Sequence, residues 1–158
     1  MNKEDGENIK EIVEEFLRKM TLSFSLIDVM PLTQEQEPDK DVAQINITME
    51  EPQILIGQNG QTLFELQRIV RIIINKKLNK DLYITLDING YKQRKIEYLK
   101  DLAVTLADNV VATKEKKVLA PMPAYERRII HAQLAKRHDI TTQSQGEGEH
   151  RSVVILPK

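Results

Sequence analysis

Two glycines separated by two polar residues stand between a short apolar run and a longer one, in the stretch ILIGQNGQ of residues 54–61. Glycine has no Cβ atom, so such a turn lets a sugar-phosphate backbone approach closely. N–H groups at the start of a following helix would then face the phosphates. Gly57, Gln58, Asn59 and Gly60 are therefore candidates for a nucleic-acid clamp. The alternative is a helix–helix turn whose glycines serve only a positive φ.

A second candidate site is the pair Arg127 and His131, whose spacing of four places both side chains on one helical face. Arginine is a forked donor for phosphate, and an imidazole can donate a hydrogen bond or stack on a base. Arg128 is adjacent, and Arg151 is a further candidate near the last predicted strand. An arginine and a histidine one turn apart are also typical of a solvated helix face, so this pair is weak evidence alone.

A metal site is the catalytic alternative, because the three histidines His131, His138 and His150 all fall in the last third of the chain. The first two are seven residues apart, two turns along one helical face, and could share a metal ion with the third. The chain has no HExxH motif, no paired-aspartate signature and no cysteine. We therefore expect no enzyme, no metal and no cofactor, and keep a metal-dependent hydrolase as a remote alternative.

Apolar spacing predicts the elements that hold the glycine turn. A helix over 8–20 is followed by a strand over 22–30, assigned from alternation at Leu22, Phe24 and Leu26, and a second strand begins at 42. Residues 34–40 form the predicted turn or hairpin loop between these strands. Pro52 opens a short helical turn, a long helix follows Gly60, and residues 82–88 are a strand. The order is helix, strand, strand, helix, helix, strand.

The second half begins at Asn89-Gly90, which we take as the domain boundary. A helix is predicted over 91–111, a short strand within 116–121 and a helix over 124–138. Two strands are predicted around a turn at residues 146–148. We expect domains at 1–88 and 89–158.

Composition excludes several classes of protein. The 158 residues are 41% hydrophobic and 30% charged, which is typical of a globular, soluble chain. There is no cysteine, no signal peptide and no apolar run of about 18 residues, so we expect a cytoplasmic protein without membrane insertion. Residues 1–60 hold 5 basic and 13 acidic side chains, whereas residues 61–158 hold 18 and 11. This split favours an anionic partner for the later part.

The glycine turn in this order of elements is the pattern of a type II KH domain. A KH domain followed directly by an R-x-x-x-H domain resembles the Jag (KhpB, SpoIIIJ-associated) family of bacterial RNA-binding proteins. Four stretches carry this resemblance and cover nearly the whole chain: ILIGQNGQTLFELQRIV, NGYKQRKIEYLKDLA, MPAYERRIIHAQL and GEGEHRSVVI.

The resemblance implies an α+β fold: an αββααβ KH domain, with a three-stranded sheet and helices on one face, and then a small α/β R-x-x-x-H domain. It implies a single-stranded RNA-binding, post-transcriptional regulator, linked to cell-wall synthesis, division or cell shape. Single-stranded DNA stays open as a ligand. The family pattern carries over onto a set of seven residues, Gly57, Gln58, Asn59, Gly60, Arg127 and His131, with Arg128 adjacent. We add as further candidate contacts Ile54, Ile56, Gln61 and Arg68 in the first domain and Arg151 in the second.

Two departures from the family bear on function. Related proteins often carry basic residues between the two glycines, where this chain has Gln58 and Asn59. Longer members also carry a separate N-terminal domain and a linker, which we do not find here. A KH-fold protein–protein scaffold without RNA is the main alternative. A second KH protein is a further possible partner, as a homodimer or heterodimer.

Overall fold

The computed structural model describes residues 3–32 and 42–158. The loop predicted at residues 34–40 lies outside these ranges. The chain divides into two compact units, Met1–Lys92 and Gln93–Lys158, close to the boundary expected after residue 88. Both units combine helices with a small sheet, so the α+β class is confirmed.

The first unit follows the predicted element order. Its elements are α1 (Lys3–Lys19), β1 (Leu26–Leu32), β2 (Val42–Thr48), α2 (Gln53–Ile56), α3 (Gln61–Leu78) and β3 (Tyr83–Ile88). Within the described part of this unit the strands form one sheet in the order β1-β2-β3. The β1–β2 pair is antiparallel and the β2–β3 pair is parallel.

The core of this unit lies between the helices and one face of the sheet. Along β2 the buried residues Ala43, Ile45 and Ile47 alternate with Gln44 and Asn46, which are partly exposed. This alternation places the apolar side chains on the helix side. The helices complete the core with aliphatic residues at helical spacing, namely Ile9, Val13 and Leu17 of α1 and Leu63, Leu66, Val70 and Ile74 of α3.

The first strand begins later than predicted and has the opposite phase. Leu22 and Phe24 precede β1 and are only partly buried against the core, and Leu26 is 55% exposed. The buried residue is Ile27, which pairs with Ile47 of β2. The alternation at 22, 24 and 26 therefore reflects an irregular segment lying along the core, because phase in a strand is set by pairing with its neighbour.

The second unit consists of α4 (Tyr91–Thr113, which starts just before it), β4 (Lys117–Val118), α5 (Ala124–Leu134), β5 (Ile140–Gln145) and β6 (Ser152–Pro157). The strands form an antiparallel sheet in the order β4-β6-β5. Its core is aliphatic, with Leu99, Ala103, Ala107, Val110, Leu119, Ile130, Leu134, Ile140, Val153 and Ile155 buried.

The helix predicted over 124–138 ends early, at Leu134. The Arg137 side chain then pairs with Asp139, with Nη2 2.6 Å from Oδ2, and also reaches Asp108. These contacts hold the chain in a turn that leads to β5. His138 therefore does not lie on a helical face with His131, and this part of the metal-site argument was wrong.

No helix in residues 3–32 and 42–158 is both long and apolar enough to cross a membrane.

Candidate nucleic-acid interface

The glycine turn has a backbone that glycine alone fits well. Gly57 has φ 68° and ψ −174°, a region that is essentially restricted to glycine, and Gly60 has φ 83°. A Cβ atom at Gly57 would clash with Oγ1 of Thr62, and one at Gly60 would lie 2.8 Å from Cε1 of Tyr91. Both glycines are therefore required by the fold itself, and their presence alone does not identify a ligand.

The turn nevertheless presents polar groups to solvent. Gln58 and Asn59 form a 3-10 turn with Gly60, and both are exposed, as is Gln61 at the start of α3. Gly60 is the N-cap of α3 and supplies no side-chain cap. The first N–H groups of a helix have no partner within it, and the helix dipole favours an anion there. The N–H of Gln61 already donates to the carbonyl oxygen of Gln58, so the dipole of α3 is the feature of this turn that favours a phosphate.

The predicted apolar groove is represented by one exposed residue rather than two. Ile54 is 54% exposed, but Ile56 is only 9% exposed and packs in the core. We therefore expect Ile54, and not Ile56, to offer apolar surface. Phe64, one turn into α3 and 55% exposed, was missed by the sequence analysis. It could have been recognised in the sequence as an apolar residue that does not share the helical face of Leu63 and Leu66.

Several cations of the first unit are paired within it. Arg68, a predicted RNA contact, forms an exposed ion pair with Glu65, with Nη1 3.1 Å from Oε2. Three further basic residues pair with acids of the same unit, and the pairs are Arg71 with Asp81, Lys77 with Glu15 and Lys80 with Asp5. The positive charge counted from the sequence is therefore partly neutralised on this surface.

In the second unit, Arg127 is fixed by two hydrogen bonds. Its Nε donates to the carbonyl oxygen of Met122 at 3.3 Å, and its Nη1 donates to Oγ of Ser144 at 3.0 Å. A guanidinium carries five N–H groups, so three are not used in these bonds. Arg127 is partly exposed, which makes it a preoriented donor.

His131 is held by hydroxyl groups at both ring nitrogens. Nδ1 lies 2.8 Å from Oγ1 of Thr142, and Nε2 lies 2.9 Å from Oγ of Ser144. Ser144 accepts from Arg127, so its own proton can be donated to Nε2, and Nδ1–H can be donated to Thr142. This assignment satisfies every group with a neutral ring, and it makes Ser144 the link between Arg127 and His131.

The electrostatic setting also favours neutral His131. Burial lowers the pKa of His131 below its ordinary value of 6.5, and the nearby positive charge of Arg127 lowers it further. Because both ring nitrogens already have partners, direct hydrogen bonding to a ligand would require one of these bonds to be exchanged.

The two other predicted contacts of this unit are Arg128, next to Arg127 in the chain, and Arg151, whose backbone joins the same hydrogen-bond network. The carbonyl oxygen of Arg151 accepts a bond from the N–H of Met122, the residue whose carbonyl holds Arg127. Arg128 is exposed on α5, and the side chain of Arg151 is exposed as well. The structure thus connects Arg127, His131 and the backbone of Arg151.

Ser144 and Thr142 were missed by the sequence analysis. They lie two positions apart in β5 and so share one face of the strand, the face on which His131 and Arg127 pack. The available signal was the alternation of hydroxyl side chains in ITTQSQ. Which face of the strand would meet α5 could not be read from that alternation.

The residues that the structure describes contain no group of three or more His, Cys, Asp or Glu side chains that could hold a metal ion. The remote hydrolase alternative therefore gains no geometric support from them.

A match to a known domain family covers most of the second unit. The family model, that of the R-three-H domain, matches residues 97–157, which include Arg127, His131 and Ser144. The curated relatives extend over both units. The RNA-binding protein KhpB of Bacillus subtilis is 35% identical over 154 residues, which are 96% of this chain and 73% of that protein. The chain belongs to the KhpB (Jag) family.

Two further KhpB proteins agree with this membership. The RNA-binding protein KhpB of Clostridium symbiosum is 35% identical over 153 residues, or 96% of this chain and 68% of that protein. That of Lactiplantibacillus plantarum is 37% identical over 113 residues, and the match covers only 35% of its length. The resemblance inferred from the four stretches is thereby confirmed.

Proposed function

We propose that this chain binds single-stranded RNA, with Arg127 as the principal phosphate contact of the second unit. The observation that carries this proposal is the network of Arg127, Ser144 and His131, which holds a partly exposed guanidinium in one orientation within the R-three-H match. Relatives named RNA-binding protein KhpB support RNA as the ligand. The exposed side chains of Arg128 and Arg151 would add phosphate contacts.

We assign residues 1–88 to a type II KH domain and residues 89–158 to the R-x-x-x-H domain. The element order and the mixed three-stranded sheet support the first assignment. In this domain Gly57, Gln58, Asn59 and Gly60 would clamp the RNA backbone by letting it approach the turn closely, with Gln61 beside them and Ile54 at the groove. The N–H groups of Gly57 and Gly60 themselves donate to the carbonyl oxygens of Gln53 and Gly57. Arg68 is paired with Glu65 in an exposed ion pair, so a phosphate contact of Arg68 would replace this weak pair.

The first test is fluorescence anisotropy of a labelled, mixed-sequence, single-stranded 12-mer RNA at two salt concentrations. We expect binding that weakens as salt rises, because phosphate contacts release counterions. Arg127→Ala should weaken binding and shallow the salt dependence, whereas Lys114→Ala, an exposed cation of the same unit, should do neither. Absence of binding by the unmodified chain at tens of micromolar would refute the proposal. A DNA strand of the same sequence tests preference for the 2′-hydroxyl.

The clamp is tested separately by placing negative charge in the glycine turn. Gln58→Asp combined with Asn59→Asp should weaken RNA binding without lowering the melting temperature, because both side chains are exposed. Gln58→Ser with Asn59→Ser is the matched polar control. Equal affinities of the two double variants would remove the turn from the RNA-binding surface.

A protein-binding scaffold is the second candidate function, and an exposed apolar stripe on α3 favours it. Phe64, Ile69 and Ile72 are 55%, 48% and 66% exposed. Ile69 and Ile72 are three positions apart and therefore adjacent on the helix surface. A second KH-fold chain, as a homodimer or heterodimer, would suit this stripe. Sedimentation of the unmodified chain and of Ile72→Arg tests self-association, and a scaffold without RNA requires the anisotropy test to give no binding.

The cellular role is proposed on family membership. We propose a non-enzymatic, cytoplasmic, post-transcriptional regulator, and a connection to cell-wall synthesis or division rests on the resemblance alone. Crosslinking of RNA to the chain in cells, followed by sequencing, would test whether wall-related transcripts are bound.

A further inference from the structure

Both aromatic residues of the second unit lie at its surface. Tyr98 of α4 is 58% exposed and Tyr125 of α5 is 51% exposed. The core of this unit is built from aliphatic side chains and includes neither ring. Aromatic rings usually supply much of the buried area of a small core. Both rings therefore present much of their surface outside this core.

The two tyrosines are connected by one buried ion pair. Glu126 is 2% exposed, and its Oε1 accepts a hydrogen bond from the hydroxyl of Tyr125 at 3.0 Å. Nζ of Lys95 lies 3.6 Å from Oε2 of Glu126 and 6.0 Å from the centre of the Tyr98 ring. The Tyr125 hydroxyl is thus tied to a buried group, so its exposed surface is mainly the ring.

The ion pair is poorly explained as a source of stability. The side chains of Lys95 and Glu126 are only 14% and 3% exposed, and removing two charges from water offsets most of their attraction. An apolar pair of similar size would stabilise the unit as well. The charged pair instead fixes the positions of the Tyr125 hydroxyl and the Lys95 ammonium.

The helix that carries Tyr125 also carries an exposed cation near it. Arg128 is three positions after Tyr125, one helical turn away on α5, and is exposed. The charge of Lys95 is matched by Glu126, so Arg128 supplies the nearby positive charge. Stacked bases and paired phosphates are the two contacts from which proteins build single-strand binding surfaces.

We propose that Tyr98 and Tyr125 form a stacking platform for unpaired bases of an RNA strand, with Arg128 contacting the adjoining phosphate. This inference rests on the proposed RNA-binding function and adds a base-contacting subsite to it. Stacking on a ring face depends little on which base is bound, so the platform would accept any base.

The test compares leucine and phenylalanine at each tyrosine, using anisotropy with the labelled single-stranded 12-mer. Tyr98→Leu and Tyr125→Leu should each weaken binding about fivefold or more, because leucine has no π face. Tyr98→Phe should keep most of the affinity. Tyr125→Phe keeps the ring but releases it from Glu126, so an intermediate loss is expected. Val104→Ala, an exposed apolar residue of the same helix, is the control.

Tyrosine emission gives a second readout that does not depend on affinity. The chain contains no tryptophan, so its intrinsic fluorescence comes from tyrosine. Unlabelled RNA should quench this emission in the unmodified chain, and Tyr98→Leu combined with Tyr125→Leu should lose most of that quenching at saturating RNA. If the leucine variants bind and are quenched like the unmodified chain, the rings only shield the ion pair and the platform is refuted. If the unmodified chain binds no RNA, the proposed function and the platform both fall.

Discussion

At the scale of single residues, Ser144 changes the interpretation of the Arg–His pair. The spacing of Arg127 and His131 suggested two side chains that contact RNA directly. In the structure, both ring nitrogens of His131 instead form hydrogen bonds with hydroxyl groups. One of these hydroxyl groups, that of Ser144, also accepts a hydrogen bond from Arg127. His131 is then a residue that orients the guanidinium through Ser144, and its ring faces are what it could still offer to a base.

Ser144→Ala should therefore weaken RNA binding in the same way as Arg127→Ala, but by less. The variant removes an acceptor from Arg127 and a partner from His131, with a cost of about 1 kcal/mol in stability. RNA affinity should fall several-fold, while Thr141→Ala, a change on the neighbouring strand position, should leave it unaltered. Imidazole ¹⁵N shifts provide a readout that does not use RNA, since the Nδ1–H tautomer assigned to the unmodified chain should lose its preference in Ser144→Ala. Unchanged shifts and affinity would contradict the linking role.

The lowered pKa of His131 predicts a pH dependence of stability. Below about pH 6.5 the unfolded chain takes up a proton at this position more readily than the folded chain does. The free energy of unfolding should therefore fall as the pH is lowered from 6.5 towards the pKa of the folded state. His131→Gln does not titrate, so its stability should change less over this range. Denaturant unfolding of both proteins at several pH values measures the difference, and parallel curves would contradict the prediction.

At the scale of elements, helical spacing was the most reliable signal in the sequence. The long helix predicted after Gly60 is present as α3, and its buried residues recur at helical spacing, because a helix against a sheet needs an apolar stripe at every third or fourth residue. The ends of elements were predicted less well. The β1 phase depended on pairing with β2, and the end of α5 depended on the contact of Arg137 with Asp108, 29 residues away. Neither partner can be identified from local sequence.

The candidate site was predictable only in part, for the same reason. Arg127 and His131 could be found because both lie on one helix, where sequence spacing fixes geometry. Ser144 was missed because its contact joins a helix to a strand. Ile56 was misjudged as a groove residue because a four-residue helix shows no clear buried face in its sequence.

The glycine turn gives a prediction at this scale. A residue other than glycine in this backbone conformation costs about 1–3 kcal/mol. Gly57→Ala should lower the free energy of unfolding by more than this amount, because its Cβ also clashes with Thr62. Gly90→Ala is the matched control: Gly90 has φ +70°, but its Cβ would meet no atom within 4 Å. Denaturant unfolding should show the larger loss for Gly57→Ala. Equal losses would mean that the turn relaxes away from Thr62.

At the scale of the whole molecule, the positive charge that basic side chains can offer to RNA is smaller than their number in the sequence suggests. Lys77 and Lys80 belong to the basic later part of the chain, yet they pair with Glu15 and Asp5 of α1. The acidic start of the chain thus neutralises part of the positive charge that follows. Arg127 and Arg128 have no such acidic partner among the ion pairs identified in the described residues.

This difference predicts unequal effects on the salt dependence of RNA binding. Arg127→Ala combined with Arg128→Ala should reduce the slope of log affinity against log salt by about 1.4, since each phosphate contact on a single strand contributes about 0.7. Lys77→Gln, which removes a cation already paired with Glu15, should change the slope little. Anisotropy titrations at four or more salt concentrations measure both slopes. A larger change in slope for Lys77→Gln than for the double arginine variant would contradict this prediction.

The position of β6 in its sheet sets the order in which the second unit can assemble during synthesis. This strand is the middle one, hydrogen-bonded to β4 on one side and to β5 on the other, although it is the last of the three to be made. A ribosome-bound chain that has not yet released residues 152–157 cannot complete this sheet. Ser144 and Thr142 would then lie on a strand without its neighbour, so we expect them to orient Arg127 and His131 only after β6 has joined the sheet.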